Sequence, residues 1–344
     1  MRGRLPLLLW LACSYVPVCL AQSPAATLDN GPLHARIYLP DTHAGFYRGT
    51  RFDWSGVIGE LTFAGHSFYG PWFTRTVPGV RDFVFEGAEI TAGSCSAITG
   101  PSEEFVDAQK LPLGFREAAA GHTFVKIGVG TLRRPDDQNY DPYRLYEIVD
   151  DGHWSVKIKR SSIQFTQKIV DRDSGYGYLY TKTLRLIPGK PILLMNHTLK
   201  NLGRLPIVTS VYNHNFLVLD RQTTGPDFSI RLPFPITPLK PIKAQLGTID
   251  GDRILYRRPL QANEVFTVQI GGFGATSRDY DVRIENRRLG VGVRITADQP
   301  LEKAELWSIR STLAMEPFVH LDVAPGKTIH WSYSYLYYTL ASQP

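Results

Sequence analysis

The chain has 344 residues, 38 Lys and Arg against 32 Asp and Glu, and a formal charge of +6. That excess is mild and dispersed, with no Lys/Arg-rich block, which argues against nucleic acid as a partner. Three cysteines are too few for a disulfide framework, so stability has to come from a packed core, and a chain of this length can build one.

Residues 1–21 read as an export signal. Arg2 and Arg4 open it, and Leu5 to Leu20 is apolar but interrupted by Pro6, Ser14 and Pro17. The small residues around Leu20-Ala21-Gln22-Ser23 suit cleavage after Ala21. The apolar run is too short and broken to span a bilayer comfortably. Cleavage removes two arginines from +6, leaving about +4. It also removes Cys13 and Cys19, so Cys95 stays alone, read as a small buried hydrophobe. Residues 22–344 are then expected to form one domain in a periplasm or the exterior, with no membrane association after cleavage.

Along the mature chain, YRGTRFDWSG (Tyr47–Gly56) brings Arg48, Arg51, Asp53 and Trp54 close together. Short helical turns are predicted near Pro101–Ala108, where Pro101-Ser102 precede Glu103 and Glu104. From there, alternation of apolar and polar residues dominates. Strands are predicted at His122–Val129, Trp154–Ile158, Ile163–Ile169, Tyr176–Ile187, Ile192–Leu199, Ile207–Val211, Glu264–Ile270 and Val291–Ile295. In the last run, WSYSYLYY, Trp331, Tyr333, Tyr335 and Tyr337 share one face, with Ser332 and Ser334 opposite. Asp151-Gly152, Pro188-Gly189, Asp250-Gly251 and Pro325-Gly326 supply the reversals. The Pro-rich stretch Arg231–Pro241 reads as a surface loop or sheet edge, since strand patterning resumes after it. Many short strands and no sustained 3.6 period predict an all-β chain, a large antiparallel sandwich.

Several chemistries have no support. There is no phosphate loop, no dinucleotide fingerprint and no Gly-x-Ser-x-Gly elbow. Asp171-Arg172-Asp173 and Asp279-Tyr280-Asp281 lack the further ligands of a calcium loop, and no histidines pair at metal-ligand spacing. No metal site is expected.

The segment Leu184–Asp220, LRLIPGKPILLMNHTLKNLGRLPIVTSVYNHNFLVLD, is the most informative. It holds two apolar strands, an Asn-Leu-Gly break, a third strand and then Tyr-Asn-His-Asn-Phe. This order resembles the middle of the aldose 1-epimerases, or galactose mutarotases. A second match is Met315-Glu316-Pro317, followed by Val-His-Leu-Asp, Ala324-Pro325-Gly326-Lys327 and an aromatic strand. The resemblance implies a galactose mutarotase-like supersandwich, a carbohydrate partner (mono- or oligosaccharide, or a sugar acid) and no cofactor. It implies His214 as the acid that protonates the ring oxygen and Glu316 as the base that takes the C1 hydroxyl proton. The two would stand on opposite sides of the sugar ring, each tuned towards neutral pH by burial.

By the same resemblance Arg51 becomes a substrate anchor and Trp54 a stacking platform. Asn213 and Asp220 flank the His214 segment as further contacts. His197 and His330 alternate with apolar neighbours and read as structural. The chain departs from the family where a His-Gly element stands in the first half. Here Glu103 and Glu104 occupy that region, and His122 downstream is a partial replacement. Adjacent strand residues face opposite ways, so at most one of the two glutamates enters the site, and Glu104 is the candidate. Four functions stay open: an isomerase interconverting sugar anomers, a carbohydrate-binding protein without turnover, a polysaccharide lyase or glycoside hydrolase on the same fold, and a purely structural or adhesive role.

Overall fold

The structure is a computed structural model that describes residues 23–341, so the proposed export signal and Cys13 and Cys19 lie outside the described residues. Among these residues there is no α-helix, only strands and two short 3-10 turns.

A ten-stranded antiparallel sheet forms one layer. Its order runs His153–Lys159, Ser162–Val170, Gly177–Leu186, Ile192–Asn201, Thr328–Thr339, Val291–Ala297, Asp281–Asn286, Phe228–Arg231, Arg253–Tyr256 and Gly247–Asp250. A six-stranded antiparallel sheet forms the second, in the order Thr237–Pro238, Phe266–Gly271, Lys303–Ile309, Thr312–Val323, Ile207–Leu217 and Gly100–Val106. Period-two burial drives both. Trp331, Tyr333, Tyr335 and Tyr337 all point inward and are fully buried. They meet Val211, Leu306, Leu313 and Met315 in one continuous core, and burial of such large side chains is the main favourable term in the fold.

The helical turns predicted near Pro101–Ala108 are instead the strand Gly100–Val106. This strand is the edge of the six-stranded sheet, where Pro101, lacking an N–H, costs no ladder bond on a far neighbour. The Pro-rich stretch Arg231–Pro241 provides the opposite edge, Thr237–Pro238.

Between the two layers lies a fully buried set of charges. Lys182 Nζ is 2.6 Å from Glu103 Oε2 and 3.3 Å from Asp53 Oδ2, and His197 Nε2 is 3.0 Å from the same Glu103 oxygen. The Tyr180 hydroxyl donates to Asp53 Oδ2 at 3.1 Å. Burial pushes the Glu103 carboxyl up, but His197 and Lys182 outweigh it and hold it down at about 2. His197 is thus a structural histidine. Gly128 closes this region from above: at φ +80° it carries no Cβ, and one placed there would meet Asp53 Oδ1 at 2.5 Å.

Three smaller sheets are built mainly from the N-terminal third. They are Ala25–Asp29 with Leu33–Tyr38, Ile58–Phe63 and His66–Ser67; Thr123–Lys126 with Gly130–Arg133 and Glu147–Asp150; and Arg75–Thr76 with Glu89–Ala92 and Phe83–Glu86. Residues from the first 150, including Phe52, Trp72, Ile98 and Phe124, pack with Phe216 and Ala314 of the six-stranded sheet as a second core. Cys95 is buried, and burial raises its thiol pKa.

Candidate active site

The strand Ile207–Leu217 alternates strictly. Asn213 turns into the space between the sheets, where its Nδ2 donates to the Tyr335 hydroxyl at 2.8 Å. Tyr212, His214 and Phe216 therefore point to the outer face, where the second core stops short and leaves a cleft. Register decides what they meet. Tyr212 lies opposite Phe318 on one neighbour and Glu104 on the other, and Asn215 lies opposite Met315. Carried through between those pairs, the register places His214 across from Glu316. Glu316 is in turn paired with Glu305 on the next strand.

The cleft holds about 720 Å³ of empty space, mouth included. Phe52, Trp72, Phe83, Tyr143, Trp307 and Phe318 contribute aromatic lining, and Arg51, His214, Glu316, Glu305 and Lys110 contribute polar groups. A concave site with aromatic walls and a few convergent titratable groups is the usual form of a ligand site.

Two contacts organise the floor. His214 Nε2 lies 3.8 Å from Glu316 Oε1 and 3.2 Å from Arg51 Nη2. Arg51 Nε donates to Glu104 Oε2 at 2.8 Å, the Tyr212 hydroxyl donates to the same oxygen at 2.7 Å, and Lys126 Nζ binds Glu104 Oε1 at 3.0 Å. Glu104, Lys126 and Tyr212 are all buried.

Electrostatics follow from burial and these partners. Desolvation among Phe52, Tyr212 and Phe216, reinforced by the Arg51 charge, holds His214 well below the usual histidine range. Desolvation pushes the Glu316 carboxyl up to about 8, with Glu305 and Glu104 adding to the effect against Arg51 and Lys303. Burial would also raise Glu104, but Lys126 and Arg51 overcome it and keep the carboxylate ionised. Both shifts run in the direction that favours a neutral imidazole and a neutral carboxyl.

The structure brings Arg51, His214 and Glu316 to the cleft, with Glu104 beneath Arg51. Other expected residues lie elsewhere. Trp54 is buried in the second core with its indole Nε1 bonded to the Gly49 carbonyl at 2.8 Å, so neither face is free for stacking in this cleft. His122 is exposed and paired with Asp173 at 3.1 Å in a separate groove. Asp220 sits in another cavity, held by His66 Nδ1 at 2.6 Å and the Ser67 amide at 2.8 Å. Asn213 is turned away by strand parity.

Sequence reasoning passed over Tyr212, Trp72, Trp307, Glu305 and Lys126. Tyr212 was detectable, since it stands two residues before His214 and must share its face. Lys303, Glu305 and Trp307 alternate in the same way, but nothing local says which strands they join.

No family model matches this sequence, and no curated protein matches it. Solved structures do. A galactose mutarotase related enzyme from Lactobacillus acidophilus superposes with a TM-score of 0.50 at 13% identity over 93% of this chain and 99% of that one. A putative aldose 1-epimerase from Escherichia coli K12 gives 0.51 at 13% identity, over 92% and 99%. An aldose epimerase homologue from C. elegans gives 0.50 at 13%, over 93% and 100%. Likeness at this identity speaks to architecture alone. Two facing antiparallel sheets, covered on one side by the N-terminal third and matched nearly end to end, give the chain the galactose mutarotase-like β-sandwich fold.

Proposed function

We propose that this protein is an exported, carbohydrate-active isomerase, aldose 1-epimerase-like, that interconverts sugar anomers by acid–base catalysis in the cleft above His214. The observation that carries the reading is the adjacency of His214 Nε2 and Glu316 Oε1, 3.8 Å apart on the floor of an aromatic-walled cleft.

That spacing differs from the arrangement the resemblance implies. A pyranose ring does not fit between groups so close, so the pair addresses the sugar from one edge. The chemistry accommodates this. The C1 hydroxyl and the ring oxygen are bonded to the same carbon, and an acid beside a base can reach both at once. One takes a proton while the other delivers one, the hemiacetal opens, C1 rotates about the C1–C2 bond, and reclosure reverses both transfers. Trp72, Trp307 and Phe318 supply surfaces for the apolar faces of the ring.

A polymer-cleaving role draws less support, because Glu103 is locked between the sheets with Lys182 and His197 and offers no acid to the cleft. Sugar binding without turnover is the second reading. It is favoured by Arg51, whose guanidinium already engages Glu104 and His214. Export rests on the character of residues 1–21. Among the described residues no helix is long and apolar enough to cross a membrane.

The test is anomer exchange on freshly dissolved galactose, glucose and glucuronate, followed by polarimetry and proton NMR. Acceleration that His214→Ala and Glu316→Gln each reduce by about 10²- to 10⁴-fold supports the isomerase. Saturable binding with no acceleration on any sugar would establish the binding protein instead.

A further inference from the structure

We propose that the cavity lined by Arg36, Tyr38 and Arg221 is a second ligand site, separate from the cleft, and that it takes a sugar acid whose carboxylate the two arginines hold. The proposal does not rest on the isomerase reading, since the two cavities share no lining residue.

The cavity lies where the paired strands Leu33–Tyr38 and Ile58–Phe63 meet the turn that follows Ile207–Leu217. It holds about 940 Å³ of empty space, mouth included, and so has the size of a small-molecule site.

Its two cations are unengaged. A guanidinium carries five N–H donors and a permanent charge. Among the described residues, neither Arg36 nor Arg221 donates a side-chain hydrogen bond to the protein or has a carboxylate within 4 Å. Surface arginines elsewhere, such as Arg231, Arg258 and Arg294, each hold a carboxylate at 2.6 Å. Even Glu60, opposite Arg36 in register, forms no ion pair with it. Two unpaired guanidiniums on one concave surface focus positive potential, and their planar forks match a carboxylate.

The turn that carries Arg221 is held in an unfavourable conformation. Asp220 and Arg221 both have left-handed backbone, at φ +45° and +53°. Arg lacks the short polar side chain that lets Asp visit this region, and such strain persists only where the surroundings impose it. The clamp is Asp220. Its Oδ2 lies 2.6 Å from His66 Nδ1, and its Oδ1 accepts the Ser67 amide at 2.8 Å. The Val218 amide adds a bond to the Phe68 carbonyl at 3.0 Å. Both Asp220 oxygens are thus engaged, and the turn sets Arg221 on the wall that Arg36 shares. Arg36 is steadied by the Tyr38 ring, 5.2 Å from its centre. That ring stacks on Phe46 at 4.1 Å and lies against Gly59, where a Cβ would come within 2.6 Å of it.

The remaining lining selects the class of acid. Glu60 and the Tyr38 hydroxyl offer partners to sugar hydroxyls, and Pro71 and Val218 offer apolar surface. A simple carboxylate engages only the arginines, and a neutral sugar engages only the rest. A uronate engages both.

The test is calorimetric titration of the full chain at low salt with sodium glucuronate, glucose and acetate. Glucuronate should bind at least about 10-fold more tightly than either of the others, because only it uses both arginine forks and hydroxyl partners. Arg36→Gln with Arg221→Gln should weaken it by about 10-fold or more, and Arg36→Lys with Arg221→Lys, which keeps the charge but not the fork, should fall between. Asp220→Ala removes a negative charge, which by electrostatics alone would tighten binding. Release of the clamp should weaken it instead, and tighter binding there overturns the preset Arg221. Both arginines reach the surface, and urea unfolding checks that each variant folds. Arg51→Met with Trp307→Ala separates the two cavities. Glucuronate binding that this pair abolishes and the arginine-to-glutamine pair retains belongs to the cleft and overturns the second site, as does no glucuronate binding at all. Either failure leaves anomer exchange in the cleft to stand or fall by its own assay.

Discussion

Replacing Glu316 with Gln should change stability in a way that depends on pH with a known sign. The carboxyl has its pKa raised in the folded protein from the ordinary 4.5 to about 8, chiefly because burial disfavours the charged form. Between those values the unfolded chain has released the proton and the folded chain still holds it. Stability therefore falls as pH rises through the window, by about 1.4 kcal/mol per pH unit. Below 4.5 both states are protonated and the penalty vanishes; above about 8 it is complete. The whole interval gives a ceiling of about 5 kcal/mol, and the real figure is smaller because the side chain keeps 12% exposure. Gln matches the neutral carboxyl in shape and never ionises. Urea denaturation of both proteins from pH 4.5 to 9 should give curves that coincide at the acid end. They should separate with pH until Glu316→Gln is the more stable by a few kcal/mol. The lowered pKa of His214 adds an opposing slope at acid pH, but it is common to both proteins and cancels in the difference. A difference that stays flat across the range would refute the buried, protonated carboxyl.

Four further outcomes follow from the same geometry. For anomer exchange, kcat/KM should fall above pH about 8, as Glu316 loses its proton, and fall again at acid pH below the usual histidine range, as His214 gains one; a pH series on one sugar measures both limbs. Lys182→Met should destabilise the fold by about 3–5 kcal/mol by leaving Asp53 and Glu103 buried without their cation, read by thermal or urea unfolding. Trp307→Ala, on the cleft wall, should weaken sugar binding up to about 10-fold by calorimetry. Trp54→Phe should leave that affinity unchanged and cost about 1–3 kcal/mol of stability, through the lost bond to Gly49 and the space left beside a buried ring.

Strand identity was legible because period two is a local property. WSYSYLYY declares a one-sided strand from residue types alone, and the four aromatics at Trp331 to Tyr337 are all buried as that pattern requires. The same parity separates Glu103 from Glu104 and turns His214 away from Asn213. Pro101-Ser102-Glu103-Glu104 misled because its helix-start composition is equally local, and pairing with Ile207–Leu217 overrides it.

What residue order determined is therefore each strand's two faces, the positions of the reversals and, from these, an antiparallel sandwich. Which faces meet was left to the tertiary structure. The register that puts His214 across from Glu316, the approach of Arg51 from a distant loop, and the removal of Trp54, His122 and Asp220 from the cleft all arise from long-range pairing. Ionisation belongs to the same level. Burial and neighbouring charge raise the Glu316 pKa and lower that of His214, and both are properties of positions in space that adjacent residues do not encode.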